Sequence, residues 1–346
     1  MQLQRNLPCA IAIVGMIVTP ALAADMPALP PLTTKAAPIP DLDYFAAQPS
    51  PAIQYEVAGR YWYGIAKTGK SLYGTPDAVG MVSRLTYSNM STSSGEIEGR
   101  ISSTFGWFVK GYAGIGRISS GTLRDEDFPV PGTGLGAYSS TNSDQRGGYL
   151  DYASMDVGYN FVRGGDFSLG AFAGYHFFNE VVDAYGCSQA ATNTDVCFNP
   201  TYPSGYEVIT QDNKWSSLRV GLNGSVTFAD RFKLSVDAAY LPYVLLSGND
   251  AHLLRIGSAV GDFNGAIPDK GTGQGYQFEA LLSYQLTPSF GIGIGGRYWH
   301  MQASGLSHFE GRVVGEDAVA QPVDWKTDIY GMFVQASYKF GPYPIN

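Results

Sequence analysis

Charged and polar residues recur in this chain on one parity of alternating segments whose other parity is aliphatic or aromatic. Between Trp215 and Phe228, Leu218, Val220, Leu222 and Val226 alternate with Arg219, Asn223, Ser225 and Thr227. Between Tyr276 and Leu286, Phe278, Ala280, Leu282 and Tyr284 alternate with Gln277, Glu279, Ser283 and Gln285. A period of two residues is the signature of β-strands. Beyond the amino-terminal leader no run approaches the ~18 apolar residues of a membrane helix, so any membrane span must be made of strands. A Lys or Arg facing lipid at mid-bilayer costs ~2–4 kcal/mol. Arg100, Arg219, Glu279 and Lys339 are therefore expected to point inward and the apolar sets outward, the reverse of a soluble sandwich. The fold class that follows is all-β: a ten-stranded antiparallel transmembrane β-barrel with long extracellular loops.

The ten strands are read at about 54–67, 81–104, 107–118, 152–161, 167–183, 215–228, 232–247, 276–286, 290–301 and 328–340. In the second, Leu85 and Tyr87 share parity with Ile97 and Ile101, and Arg84 with Glu96, Glu98 and Arg100. One parity over that length predicts a single strand, longer than a bilayer requires. The connections alternate. Short ones fall near Phe105-Gly106, Gly164-Gly165, Ala229-Asp230 and Thr287-Pro288, and long ones at roughly 68–80, 119–149, 184–213, 248–274 and 303–327. Short periplasmic turns and long outer loops are the outer-membrane arrangement.

Residues 1–23 read as a signal peptide, with Arg5 at its start, an apolar core from Cys9 to Val18 and Ala21-Leu22-Ala23 as the cleavage site. Residues 24–53 are rich in Pro and Ala and read as a periplasmic tether. The barrel spans 54–340, and 341–346 form a tail. After cleavage 21 basic residues face 30 acidic ones, a formal charge of about −9, which argues against a nucleic-acid partner. The composition, 13% aromatic and only 15% charged with 43 Gly, suits an outer-membrane barrel. Cys187 and Cys197 remain in one polar segment, and an exported pair so spaced is expected to form a local disulfide. No His lies near them, and no metal site is expected. Trp62, Trp107, Trp215 and Trp299 read as interface girdle or lumen filling. His176, His300 and His308 read as lumen, rim or loop residues.

Two acidic motifs stand in long loops. Asp250 and His252, in Gly248-Asn249-Asp250-Ala251-His252, are two apart, so in extended chain both point one way. A carboxylate that orients an imidazole makes a general base. Asp125 and Asp127 form a second pair in Arg124-Asp125-Glu126-Asp127. Two close carboxylates raise one pKa, and a nearby imidazole shares the proton. Simple parity from Phe232 places Asp250 and His252 on the outward side. Two things would free them from that side: a bulge at Pro242, which cannot donate to a sheet ladder, or a position above the membrane, where facing is less constrained.

With these motifs on the expected loops, the chain resembles the omptin family, ten-stranded outer-membrane endoproteases of Gram-negative bacteria. The likeness covers about residues 54–340. It is strongest at Asp125-Glu126-Asp127 with the strand to Phe161 and Leu169–Tyr175, and from Val220-Gly221-Leu222 through His252. The resemblance implies an aspartic-type endopeptidase acting on exposed peptides or proteins, its site facing outside. Asp250 would orient His252, His252 with Asp125 would activate a water, and Asp127 would support the acidic side. It implies no cofactor beyond a possible lipopolysaccharide requirement, and outer-membrane lipid as a partner. For lipopolysaccharide contact Tyr175 matches and Lys214 supplies a basic group, while Phe177 and Asn179 stand where an acid and an Arg are expected. The family's two acids for a basic substrate residue correspond here to Thr68 and Gly248, so no dibasic preference is expected. The competing reading is a non-enzymatic barrel that keeps the scaffold as an adhesin, structural protein or narrow pore.

Overall fold

A computed structural model describes residues 53–74, 80–129, 136–193, 196–198, 201–255, 266–308 and 320–340. The signal-peptide and tail segments, and nearly all of the tether, lie outside these. The strands are β1 (Ile53–Tyr73), β2 (Met81–Ser103), β3 (Trp107–Asp127), β4 (Ser139–Gln145), β5 (Tyr149–Arg163), β6 (Phe167–Gln189), β7 (Tyr202–Phe228), β8 (Phe232–His252), β9 (Ala266–Gln285), β10 (Phe290–Ser307) and β11 (Gln321–Phe340). All pairings are antiparallel, and β1 bonds both β2 and β11, so the sheet closes on itself. β4 and β5 share one stave: β3 pairs with β5 along 107–117 and with β4 along 121–127. The chain breaks between them at Gly147 and Gly148, with φ of 73° and 104°. Ten staves therefore make the ring. Among the described residues no helix is long and apolar enough to cross a membrane.

β2 is the single long strand that the sequence reading gives, but most of the others are longer than read, as in the 21 residues of β1 and the 20 of β9. At about 3.3 Å per residue strands of this length run roughly 65 Å or more, about twice the hydrocarbon thickness even when tilted. Much of the predicted long loops is thus strand. These upper halves escaped the strand reading because their outer faces are polar, as at Ser71, Asp324 and Lys326, while their inner faces mix buried apolar residues such as Leu72, Val323 and Trp325 with buried polar ones such as Thr68 and Lys70, so no apolar lipid-facing parity marks them. The apolar outer band is confined to the lower halves, where Ile97, Ile115, Met155, Leu218, Leu222, Ile294 and Val334 are exposed. It ends near Tyr63 on β1, Tyr175 on β6 and Leu245 on β8.

Inside the band the lumen is charged. Arg297 meets Glu96 at 2.6 Å and Glu279 at 2.7 Å, Arg60 meets Glu96 at 3.0 Å, and Arg219 is buried. Arg100 lies over the inward Phe108 ring, and Lys339 lines a lower lumen cavity of about 270 Å3. Above the cavity the barrel is stoppered by aromatic rings. Trp62 and Trp299 sit with centroids 4.9 Å apart, with Tyr112, Tyr152, His176 and Phe178 packed around Trp299. Trp107 alone of the four tryptophans named above lies outside, exposed at the band's lower edge.

Three irregularities decide which side chains face the lumen above the stopper. On β2 the register slips between Ser88 and Thr92, around Asn89 at φ 53°. Below the slip Thr92, Ser94 and Glu96 are buried in the lumen; above it Leu85 and Tyr87 are. The shared parity of Leu85 and Tyr87 with Ile97 and Ile101 is real, but it does not mean a shared face. Arg84 accordingly stands outside, 2.7 Å from Glu126, and not with Glu96 and Arg100. The same slip turns β3, where Ile118 is buried below and Leu123 above. On β8 the register slips between Leu241 and Val244. Pro242 and Tyr243 are both exposed there, and the buried set changes from Ala239 and Leu241 to Val244, Leu246, Asp250 and His252.

Candidate active site

The β8 slip delivers Asp250 and His252 to the inner wall. Asp250 is 1% exposed and His252 8%. His252 Nε2 lies 3.2 Å from Asp250 Oδ2. The same oxygen accepts a hydrogen bond from Lys70 Nζ at 3.1 Å, and Lys70 also donates to Asp269 Oδ2 at 2.8 Å. Ser307 Oγ donates to the other oxygen of Asp269. Burial by itself would raise the Asp250 carboxyl's pKa, but His252 and Lys70 outweigh it and hold it well below the usual carboxylate range.

Asp125 and Asp127 come from β3. They share parity with the buried Leu123, with no slip between, so both face the lumen. Glu126 between them faces away and ties the outer surface together: it accepts from Arg84 at 2.7 Å and from the Tyr138 hydroxyl at 2.9 Å. Burial would raise Glu126, but these donors hold it below the ordinary value. Tyr87, whose side chain is fully buried, stands on the same inner wall. Burial pushes its phenol well up, and the next largest contributions come from the carboxylates of Asp250 and Asp125. One phenol thus feels an acid from each predicted pair, although β3 and β8 are not neighbours in the ring.

Thr68 and Gly248 are also in this mouth, and acids from other strands have come to them. Thr68 Oγ1 donates to both oxygens of Glu180 at 3.1 Å and lies 2.9 Å from Thr327 Oγ1. A side chain at Gly248 would begin 2.9 Å from Asn213 Oδ1 and 3.5 Å from Asp269 Cβ, so an acid there has no room unless Asn213 moves. Glu180, Asp269, Lys70 and Tyr87 were all missed in sequence. Glu180 carries the parity of the inward His176 and Phe178, which was the available signal, whereas Tyr87 shares the parity of the outward Ile97 and is turned inward only by the slip at Asn89. Lys70 and Asp269 stand in segments without alternation.

Glu180 carries a pH prediction. It is 1% exposed, and burial, opposed by bonds from Thr68 and Asn213, raises its pKa from 4.5 to about 7. Between these values the folded state binds the proton that the unfolded state has lost, so stability falls as pH rises through this window. The cost is absent below the unfolded value and fully present above the folded one. Glu180→Gln is expected to stabilise the barrel by up to about 3 kcal/mol at pH 8 and by nothing at pH 4. Urea midpoints of the refolded protein at the two pH values check this, and an equal change at both rules it out.

A model of the omptin family matches residues 64–306. The chain belongs to the omptin family. Among solved structures, this omptin is similar to the outer membrane protease OmpT from Escherichia coli, with 16% identity over 83% of this chain and 97% of that one and a TM-score of 0.66. It also matches the translocator domain of the autotransporter NalP from Neisseria meningitidis, with 13% identity over 86% and 92% and a TM-score of 0.36. The first likeness shows the fold, that of an outer-membrane β-barrel. No curated protein matches in sequence.

Elsewhere on this omptin, Tyr175 is exposed at the top of the apolar band, and Lys214 stands on the outer face of β7, 3.0 Å from Asp212. Lys214 is in register with Asn179, which donates to Asp151 at 2.8 Å. Cys187 and Cys197 are joined as a disulfide with Cα atoms 5.6 Å apart. His176 is buried against Trp299, His300 is covered by the Tyr276 ring and lies 2.8 Å from Asp328, and His308 follows β10. No cluster of metal-ligating side chains occurs among the described residues.

Proposed function

We propose that this omptin is an outer-membrane endopeptidase whose site faces outside and whose substrates are exposed peptides or proteins. The observation that carries the reading is that buried Asp250 and His252, 3.2 Å apart, face the same lumen as Asp125 and Asp127, with the Tyr87 phenol feeling the charge of both Asp250 and Asp125. With Nε2 directed at Asp250, the His252 nitrogen left to take a proton is Nδ1. A water between His252 and Asp125 loses its proton to Nδ1 as its oxygen attacks the peptide carbonyl, and the imidazolium returns that proton to the leaving amine. Asp250, held as a carboxylate, stabilises the imidazolium. Asp127 adds negative charge on the acidic side. No covalent intermediate is formed.

The acid beneath Gly248 is already paired with Lys70, and Glu180 is held by Thr68, so a strong preference for a basic side chain is not expected. The Tyr175 and Lys214 surface suits lipopolysaccharide, and we include it as a requirement for activity. The narrow-pore alternative meets the ring stopper around Trp62 and Trp299, which closes the lumen below the site.

The test is cleavage of a mixed peptide library by the refolded barrel with and without lipopolysaccharide. Cleavage is expected only with the lipid, and the products give the preferred residue. A folded, heat-modifiable barrel that cleaves nothing under either condition returns the chain to the non-enzymatic reading.

A further inference from the structure

Lys70 has no part in the chemistry above, yet it is the best-tied cation in the mouth. It stands on the inward parity of β1 and is 2% exposed. Between β1 and β8 the ring places three other staves, β11, β10 and β9, so the side chain reaches Asp250 across the lumen. Its ammonium is 3.1 Å from Asp250 Oδ2, 2.8 Å from Asp269 Oδ2 and 5.2 Å from the centre of the Trp325 ring. Among the described residues no other Lys or Arg is paired with either carboxylate.

Two buried carboxylates that share one ammonium are held by it. Each alone would face several kcal/mol of desolvation and, without the cation, the other's repulsion. Asp250 Oδ2 is also the oxygen that meets His252, and an Asp carboxylate turns easily about its last torsion. A single bond at 3.2 Å leaves that torsion loose; a second donor on the same oxygen, anchored at its far side, removes the freedom. Ser307, through its bond to Asp269 Oδ1, fixes the anchor. The order Ser307, Asp269, Lys70, Asp250, His252 is a continuous polar chain over β10, β9, β1 and β8.

We propose that Lys70 is a positioning residue of the site: its ammonium, anchored by Asp269 and Ser307, pins Asp250 against His252 and so aims the imidazole. The proposal rests on the endopeptidase reading for its catalytic consequence, but the cation site itself stands on geometry. Lys70→Ala removes three carbons and the ammonium, the shape of propylammonium, and leaves Asp250 and Asp269 facing an empty slot.

The experiment compares wild type with Lys70→Ala and Asp269→Asn, each refolded and checked for heat-modifiable migration. Both variants are expected to lose about 100-fold in kcat with little change in KM, the size of a misplaced catalytic group. Propylammonium is expected to restore turnover in Lys70→Ala, and tetramethylammonium at the same ionic strength is not. Wild-type kcat in the folded Lys70→Ala protein, or a loss that propylammonium leaves unchanged, overturns the proposal. A readout free of turnover accompanies these: propylammonium should raise the thermal midpoint of Lys70→Ala and not of wild type. Should wild type cleave no peptide, the endopeptidase reading falls by itself, and this midpoint still decides whether an ammonium holds the two carboxylates. Should Lys70→Ala fail to fold, Asp269→Asn, which keeps the ammonium and loosens it, decides by its kcat.

Discussion

His252→Ala is expected to lower kcat/KM for a cleaved peptide by about 100-fold to 10,000-fold, the range of a lost general base. Asp125→Asn is expected to cost a similar factor. The decisive figure is the double variant. If the imidazole and the carboxylate act on one water, removing either already disables the pair, and His252→Ala with Asp125→Asn together should be scarcely worse than the poorer single variant. Multiplicative losses would mean two independent sites, and wild-type rates in His252→Ala would remove the imidazole from the mechanism. The variants should stay folded. His252 ends β8 beyond the apolar band and bonds Asp250, so truncation breaks no lipid-facing or stopper contact. Heat-modifiable migration of each variant checks that directly.

The barrel was legible because lipid imposes a one-sided rule. Wherever a strand crosses the band, charge on one parity forces that parity inward, as at Arg219 and Glu279, and the turns fall between. Above the band the rule lapses. Water meets the outer face there, so polar residues occupy it, while buried apolar and polar side chains such as Leu72, Trp325, Thr68 and Lys70 share the inner face, and strands such as the first part of β7 look like loop. The site was legible differently. Asp125, Asp127, Asp250 and His252 were found as local pairs on the loops that a ten-strand order assigns them, not from their facing. Facing was misread at Asn89, since nothing in the sequence there announces a slip, and open at Pro242, where the missing N–H does. Lys70, Asp269 and Glu180 could not be found as partners at all. Each meets its partner across the lumen or from a distant stave, and no local spacing encodes that closure.

The ring stopper and the charges beneath it explain why a barrel with so polar a lumen holds its shape, and they give the last large effect. Arg297 donates to Glu96 at 2.6 and 3.0 Å and to Glu279 at 2.8 Å, while its guanidinium lies 4.7 to 5.2 Å from the rings of Tyr112, Trp62 and Trp299. Arg60 shares both carboxylates but cannot replace it, having Glu98 and Gln335 to satisfy as well. Arg297→Met keeps much of the stem's packing against those rings and deletes the charge, leaving Glu96 and Glu279 buried with one cation between them. Breaking a buried pair in this way costs about 3–5 kcal/mol, because the orphaned charge stays desolvated. The urea midpoint should drop accordingly with an unchanged slope. Adding Glu96→Gln should recover part of the loss, since the carboxylate that suffers most is then neutral. A midpoint unchanged in Arg297→Met would assign the lumen's rigidity to the tryptophan layer alone, and the partial recovery with Glu96→Gln separates the two. In the folded fraction of Arg297→Met, peptide cleavage should persist, since Trp62 and Trp299 stand between this network and the Asp250–His252 pair.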